Sequence, residues 1–418
     1  MNRRFPVLLY FACSIPLFSL PRTFAVVGTF GFMYYYILAL IFLFFVFWNF
    51  LAKPDVDRML FLLKFSCVLA APYLLTIVIA PVLWAVNLSG FRNITRGLFM
   101  PLYEVIAVAM SAAVVYLFGK KGLFYQFWAL GTAALLLMGR LMIQGGIGEF
   151  FYQYYRLLIT LSEDTGDLMY AFETPCWAYG TGVYLIYFAV YFKKMGKGQR
   201  MAIPLCLLIF TMGLKRSALV GLALAAVTIV LLSRVPQKKI KAAALAVTGF
   251  FLLAGFCYVG AVYWNMYGWL SEALGINTMG RANAYEVLRQ YYSFAPAFLG
   301  KGLGYSFYMI SGGRIEGISG QFMGDIHNEY LRQYLELGMG GFLLWLWAFF
   351  ISRTRAFAGL KSKSLTILVT ASMAYCLGTF MTENIYYDFY FNLCLFTVIL
   401  SAALGEEQSR REEGYGRG

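Results

Sequence analysis

Charge is scarce in this chain, and histidine scarcer still. Of 418 residues only 13% are charged, and His327 is the single histidine. Soluble domains run near 25% charged, and a soluble globule has nowhere to hide the 61% hydrophobic content found here. Proline- or serine-rich linkers, polar low-complexity tracts and short-period repeats are missing, so 1–418 reads as one domain. No two of the seven cysteines form a CxxC pair, and most sit inside apolar runs. They read as small core residues, which argues against a disulfide framework and a thiolate metal site. A lone histidine leaves little for zinc, and no cofactor is expected. The 19% aromatic content and the lack of polar sequence exclude disordered and nucleic-acid-binding classes. What remains is an all-α, polytopic integral membrane protein.

The apolar runs are long and numerous. A spanning helix takes about 20 mostly apolar residues, and twelve candidates are centred near residues 12, 38, 73, 109, 132, 183, 207, 225, 252, 343, 372 and 397. The seventh and eighth are short and joined only by Gly213-Leu214-Lys215-Arg216, a tight hairpin. Arg3-Arg4 before an apolar run has the shape of a signal peptide, but the many similar segments behind it point to an uncleaved first span.

With the N-terminus in the cytoplasm, every second connection is cytoplasmic too. Those connections hold 22 of the 34 Lys and Arg residues and six of the 20 acidic ones. The positive-inside rule is thereby obeyed. The net charge of +14 records topology rather than a polyanionic partner, and both termini are expected in the cytoplasm. External connections longer than a tight turn cover about 87–98, 144–173 and, between spans 9 and 10, 265–332. The aromatic groups Tyr263, Trp264, Tyr267, Trp269 and Tyr386, Tyr387, Tyr390 fit an interfacial belt.

Basic residues outside run against the insertion bias, so they carry information. Arg216, at the outer tip of the hairpin, either snorkels to headgroups or marks a substrate path; its planar fork suits phosphate oxygens. Arg281 and Arg289 lie eight residues apart in a stretch that reads as an amphipathic helix, which returns them to about the same face. Two guanidinium groups there make a diphosphate clamp, unless the helix simply rests on anionic lipid. His327, in Asp325-Ile326-His327-Asn328-Glu329, carries an imidazole, the side-chain type suited to general-base work at physiological pH; the plainer alternative is a hydrogen-bonded interfacial side chain. Glu336, Gly338 and Gly341 follow, and small residues let helices approach closely. Gly300-Lys301-Gly302-Leu303-Gly304 lacks the nucleotide-binding pattern. Asp55-Val56-Asp57 looks like a metal-binding DxD but lies in a cytoplasmic connection beside Lys53 and Arg58. Glu163, Asp164 and Asp167 read as a solvated loop, and the two glycosylation sequons at Asn87 and Asn93 as chance matches. Nearly all charges fall in loops or at span ends, with Glu104 and Arg140 the nearest exceptions.

Lys215-Arg216-Ser217-Ala218, Gly280-Arg281 opening a long external segment, and His327-Asn328-Glu329-Tyr330-Leu331 with Glu336-Leu337-Gly338 occur in that order. Together they resemble the bacterial O-antigen polymerase and O-antigen ligase superfamily, closely over about 210–345. The resemblance implies a metal-independent glycosyltransferase of the inner membrane whose catalytic loop, about 265–332, faces the periplasm. Its donor would be a glycan on undecaprenyl diphosphate. His327 would be the base that deprotonates the acceptor hydroxyl. Arg216 and Arg281, with Arg289 as a third contact, would hold the diphosphate, and Asn328, Glu329 and Gly338 would support the site. A polymerase of repeat units is favoured over a ligase to lipid A core because Gly300–Gly304 and the HNEYL phrase look more polymerase-like. A chain-length regulator is the partner the family implies. A transporter or lipid flippase is the alternative of another class.

Overall fold

The computed structural model describes residues 5–23, 31–87, 94–161, 166–174, 176–273, 275, 281–311 and 326–415. Among these the secondary structure is helical throughout, with no strand. We number the helices α1 (Phe5–Thr23), α2 (Gly31–Ala52), α3 (Val56–Asn87), α4 (Ile94–Phe118), α5 (Gly122–Gly145), α6 (Ile147–Thr160), α7 (Thr181–Tyr191) and α8 (Ala202–Met212). There follow α9 (Arg216–Ser233), α10 (Ile240–Tyr263), α11 (Met266–Ala273), α12 (Arg281–Leu288), α13 (Tyr305–Ser311), α14 (Glu329–Leu346), α15 (Lys363–Phe380) and α16 (Phe389–Tyr415). A helix lies over each of the twelve apolar segments of the sequence, and among the described residues seven helical stretches are long and apolar enough to cross a membrane. Apolar side chains such as Phe44 and Trp48 on α2, and Val78, Val82, Leu136 and Phe250 on the longer stretches, stay exposed. In water such a surface would aggregate, whereas lipid solvates it. The chain is built as a membrane-embedded helical protein.

Burial orders the bundle. The windows in α15 and α16 are 89% buried, against 28% for α9 and 33% for the stretch containing α10. So α15 and α16 form the centre. α9 and α10 pack along α15, and α4 along α16. Two of the aromatic residues assigned to a belt belong to this interior instead. Tyr386 is fully buried and stacks on Tyr73 at 4.6 Å, and Tyr390 is buried as well. Their tyrosine content alone made them look interfacial; the chain turns them inward between the last two helices. Trp264 and Trp269 are exposed.

α14 is broken at Gly338, where φ is 70° and ψ −179°. The Gly300–Gly304 strand of loop fills the break. Lys301 and Gly302 donate their N–H groups to the carbonyls of Leu335 and Glu336, each at 2.9 Å, and Met339 donates to Phe298 O at 2.9 Å. These bonds replace the helical ones lost at the break, which buried backbone requires. A Cβ on Gly338 would overlap the Leu299 carbonyl carbon, and one on Gly300 the Gly338 nitrogen. The glycines are there for backbone-to-backbone approach.

Candidate functional site

The break holds the first half of α14 as a short, fully buried stub, and the chain entering it carries His327. Asn328 is the N-cap: its Oδ1 accepts from Leu331 N–H at 3.0 Å. Its own N–H donates to Asn384 Oδ1 at 3.1 Å, which ties the stub to the α15–α16 connection. From α10 the Tyr258 hydroxyl accepts from Asn328 Nδ2 at 3.5 Å and donates to Met381 O at 2.8 Å, and from α12 the Tyr285 hydroxyl lies 3.4 Å from the His327 carbonyl. His327 itself has φ +49°, a left-handed conformation that side chains other than glycine seldom adopt. Three elements pin this strained residue in place, the pattern expected where position matters more than comfort.

His327 Nδ1 stands 3.6 Å from Glu383 Oε2, longer than a direct hydrogen bond. The other carboxylate oxygen, Oε1, is 3.7 Å from Arg281 Nη2. Lys215, ion-paired with Glu173, and the Tyr179 hydroxyl also act on Glu383. Tyr179 in turn is 2.8 Å from Ser217 Oγ. Burial pushes the Glu383 carboxyl up, but the His327 imidazole, the Arg281 guanidinium and the Lys215 ammonium outweigh it. The net result holds Glu383 below the usual carboxylate range. His327 is 41% exposed and Glu383 20%. The imidazole is thus open to a ligand while its partner is largely enclosed.

Of the residues singled out in the sequence, the structure brings His327 and Arg281 to one carboxylate. Arg216 opens α9 between Lys215 and Ser217, both of which reach the surroundings of Glu383. Arg289 follows a different course. α12 ends at Leu288, so the helical spacing of eight is not completed, and the Arg289 guanidinium rests over the Tyr263 ring at 5.2 Å. Glu329 accepts from Gln333 Nε2 at 2.7 Å in the buried stub. Gly338 supports the site by allowing the break. Glu383 is the residue the sequence does not announce: it stands just before Tyr386, Tyr387 and Tyr390, with no motif of its own. The cluster Glu163–Asp164, Gly280 and Asp325 lie outside the described residues. Asp55 and Asp57 are committed to ion pairs with Arg58 (3.3 Å) and Arg411 (3.2 Å).

Several of the few charged side chains are buried: Glu104, Glu329, Arg332, Glu336 and Arg353 are all fully or almost fully so. Each has a partner that hydropathy cannot reveal. Glu104 accepts from Asn392 Nδ2 at 2.8 Å, Glu336 from the Ser306 hydroxyl and N–H, and Arg332 Nε is 3.8 Å from Glu336. The Arg353 guanidinium bonds to Leu69 O and lies 4.3 Å from the Phe349 ring centroid. Compared with known proteins, the chain matches no family model and no curated sequence.

Proposed function

We propose that this chain is a membrane glycosyltransferase that polymerises oligosaccharide repeat units carried on undecaprenyl diphosphate. The observation that carries the reading is the His327–Glu383–Arg281 arrangement: one exposed imidazole, one enclosed carboxylate and one guanidinium fork on the same two oxygens. A proton on Nδ1, the nitrogen that stands 3.6 Å from Glu383, would leave Nε2 as the basic nitrogen. An acceptor hydroxyl gives its proton to Nε2 while its oxygen bonds to the anomeric carbon of the donor sugar. The bond from that carbon to the diphosphate oxygen breaks, and its electron pair leaves with the diphosphate. Arg281 and Arg216 meet the charge developing there, and the forked guanidinium matches two phosphate oxygens at once. Glu383 orients the imidazole and stabilises the imidazolium that forms. A positioned base of this type contributes about 10²–10⁴-fold. The activated lipid carries the energy, so the reaction asks for no nucleotide.

In this reading the twelve apolar helices all span a bacterial inner membrane, both termini are cytoplasmic, and the His327 end faces the periplasm. The charge distribution of the connections supports that orientation. A chain-length regulator is the partner in view. A ligase to lipid A core would use the same groups with another acceptor. Lipid transport is a second reading with observations of its own, namely the break in α14 at Gly338 and the buried carboxylates Glu104, Glu329 and Glu336.

The test uses purified protein and undecaprenyl diphosphate-linked repeat units, with products separated by size. A ladder that disappears in His327→Ala supports a polymerase with this base. Transfer only after lipid A core is added means a ligase. No glycosidic product in either case, with movement of intact lipid-linked units across vesicles, means transport.

A further inference from the structure

α12 has two faces. Ala284, Tyr285 and Leu288 are buried toward the reaction centre, where Arg281 also lies. Asn283 and Glu286 are exposed on the opposite face, and with α11 they line an open pocket of about 470 Å³. The α11 side supplies Asn265, Trp269, Ser271 and Glu272. Trp269 is 68% exposed, so its ring face is free. Tyr267 and Tyr285, 5.4 Å apart, hold the two helices together beneath the pocket. α12, a helix of roughly 10 Å diameter with its side chains, stands between it and the His327 site.

The lining selects its ligand chemistry. Two carboxylates, with no Lys or Arg among the described lining residues, repel phosphate and any other anion. Two side-chain amides offer donors and acceptors, and the carboxylates accept from hydroxyls. An exposed indole offers an apolar plane. A sugar ring meets all of these, since it has one C–H face and a rim of hydroxyl groups, whereas an acyl chain has no use for the polar rim. Met266, Trp269 and Leu270 are exposed in a stripe along α11, which suits a helix lying at the headgroup level. We infer that the α11–α12 pocket is a saccharide subsite, taking a neutral or amino sugar of a glycan whose reacting end lies at His327. The inference rests on the glycosyl-transfer reading and adds to it a site for recognition apart from the diphosphate.

The probe is an array of free oligosaccharide fragments of bacterial surface polysaccharides, without lipid, overlaid with the full protein in nanodiscs. The expected result is retention of one or more oligosaccharides by wild type and His327→Ala alike. Asn283→Ala and Glu286→Gln, at exposed positions, should weaken that retention about tenfold or more. Absence of any bound oligosaccharide, or binding that both substitutions leave unchanged, overturns the inference. The two readings fail separately. Polymerisation that depends on His327 with no array binding removes the subsite alone. Array binding that depends on Asn283 in a protein making no glycosidic bond removes the transferase and leaves a saccharide site.

Discussion

Glu383 holds His327 and Arg281 on its two carboxylate oxygens, at 3.6 and 3.7 Å, from a short connection between the two most buried helices. The imidazole and the guanidinium fork are therefore set by one side chain. On the proposed reading, a diphosphate arriving at Arg281 would compete for that guanidinium and free the carboxylate for the imidazole, so that Glu383 would couple substrate binding to activation of the base.

Replacing Glu383 by Gln keeps the shape and removes the charge. Glycan polymerisation should fall by about 10–100-fold, with substrate binding changed less than turnover. His327→Ala should lose more, by about 10²–10⁴-fold, with insertion and expression intact. Size-resolved products at varied substrate concentration check both.

The left-handed backbone at His327 predicts a separation of stability from activity. His327→Gly relieves the strain and should leave stability unchanged or raise it by up to about 1 kcal/mol, while turnover disappears. Thermal unfolding in detergent, set beside the polymerisation assay, reads the two effects. A β-branched residue, as in His327→Val, should lower the melting temperature.

Gly338→Ala should destabilise the protein by about 2–4 kcal/mol, because its Cβ meets the Leu299 carbonyl and expels the Gly300 loop from the break. Gly340→Ala is the matched control, since nothing lies within 4 Å of a Cβ added there. Melting curves of the two variants should differ clearly. Equal curves would mean the loop does not need the break.

A fork and a point charge are distinguishable at Arg281 and Arg216. Lys at either position retains charge but loses bidentate geometry, and each variant should polymerise poorly. Arg289→Ala, whose guanidinium lies over Tyr263, should be affected far less. Full activity of Arg216→Lys would make Arg216 a headgroup anchor only.

The lowered pKa of Glu383 has a definite sign. Its contribution to stability is present above the ordinary glutamate pKa of about 4.3 and is lost as pH falls through the lower folded value. Mild acid should therefore leave this part of the structure intact, and acid loss should begin only below that range. Melting temperature against pH should show an acid limb in wild type that is weaker in Glu383→Gln.

How much was legible in advance follows from where information is scarce. In a chain with so few charges, basic residues in the connections that the charge pattern assigns to the outside stand out, and Arg216, Arg281 and His327 are singled out that way. Helix positions follow from apolar length, because lipid leaves the backbone no other way to satisfy its hydrogen bonds. Glu383 escapes the same reasoning because its neighbours Tyr386, Tyr387 and Tyr390 mimic a membrane belt. Glu104 stands out in the sequence only as an exception, and its partner Asn392, like the partners of Arg353, escapes because an apolar window tolerates one charge without showing what it meets.

The sequence by itself determined the helices, their approximate limits and the sparse set of residues able to do chemistry, all of which depend on local composition. Only the tertiary structure decided that Glu383 joins His327 to Arg281, that the Gly300 loop threads the break at Gly338, and that Arg289 turns to Tyr263. Those relationships join residues far apart in the chain, and their physical basis is backbone approach and charge pairing that no local pattern encodes.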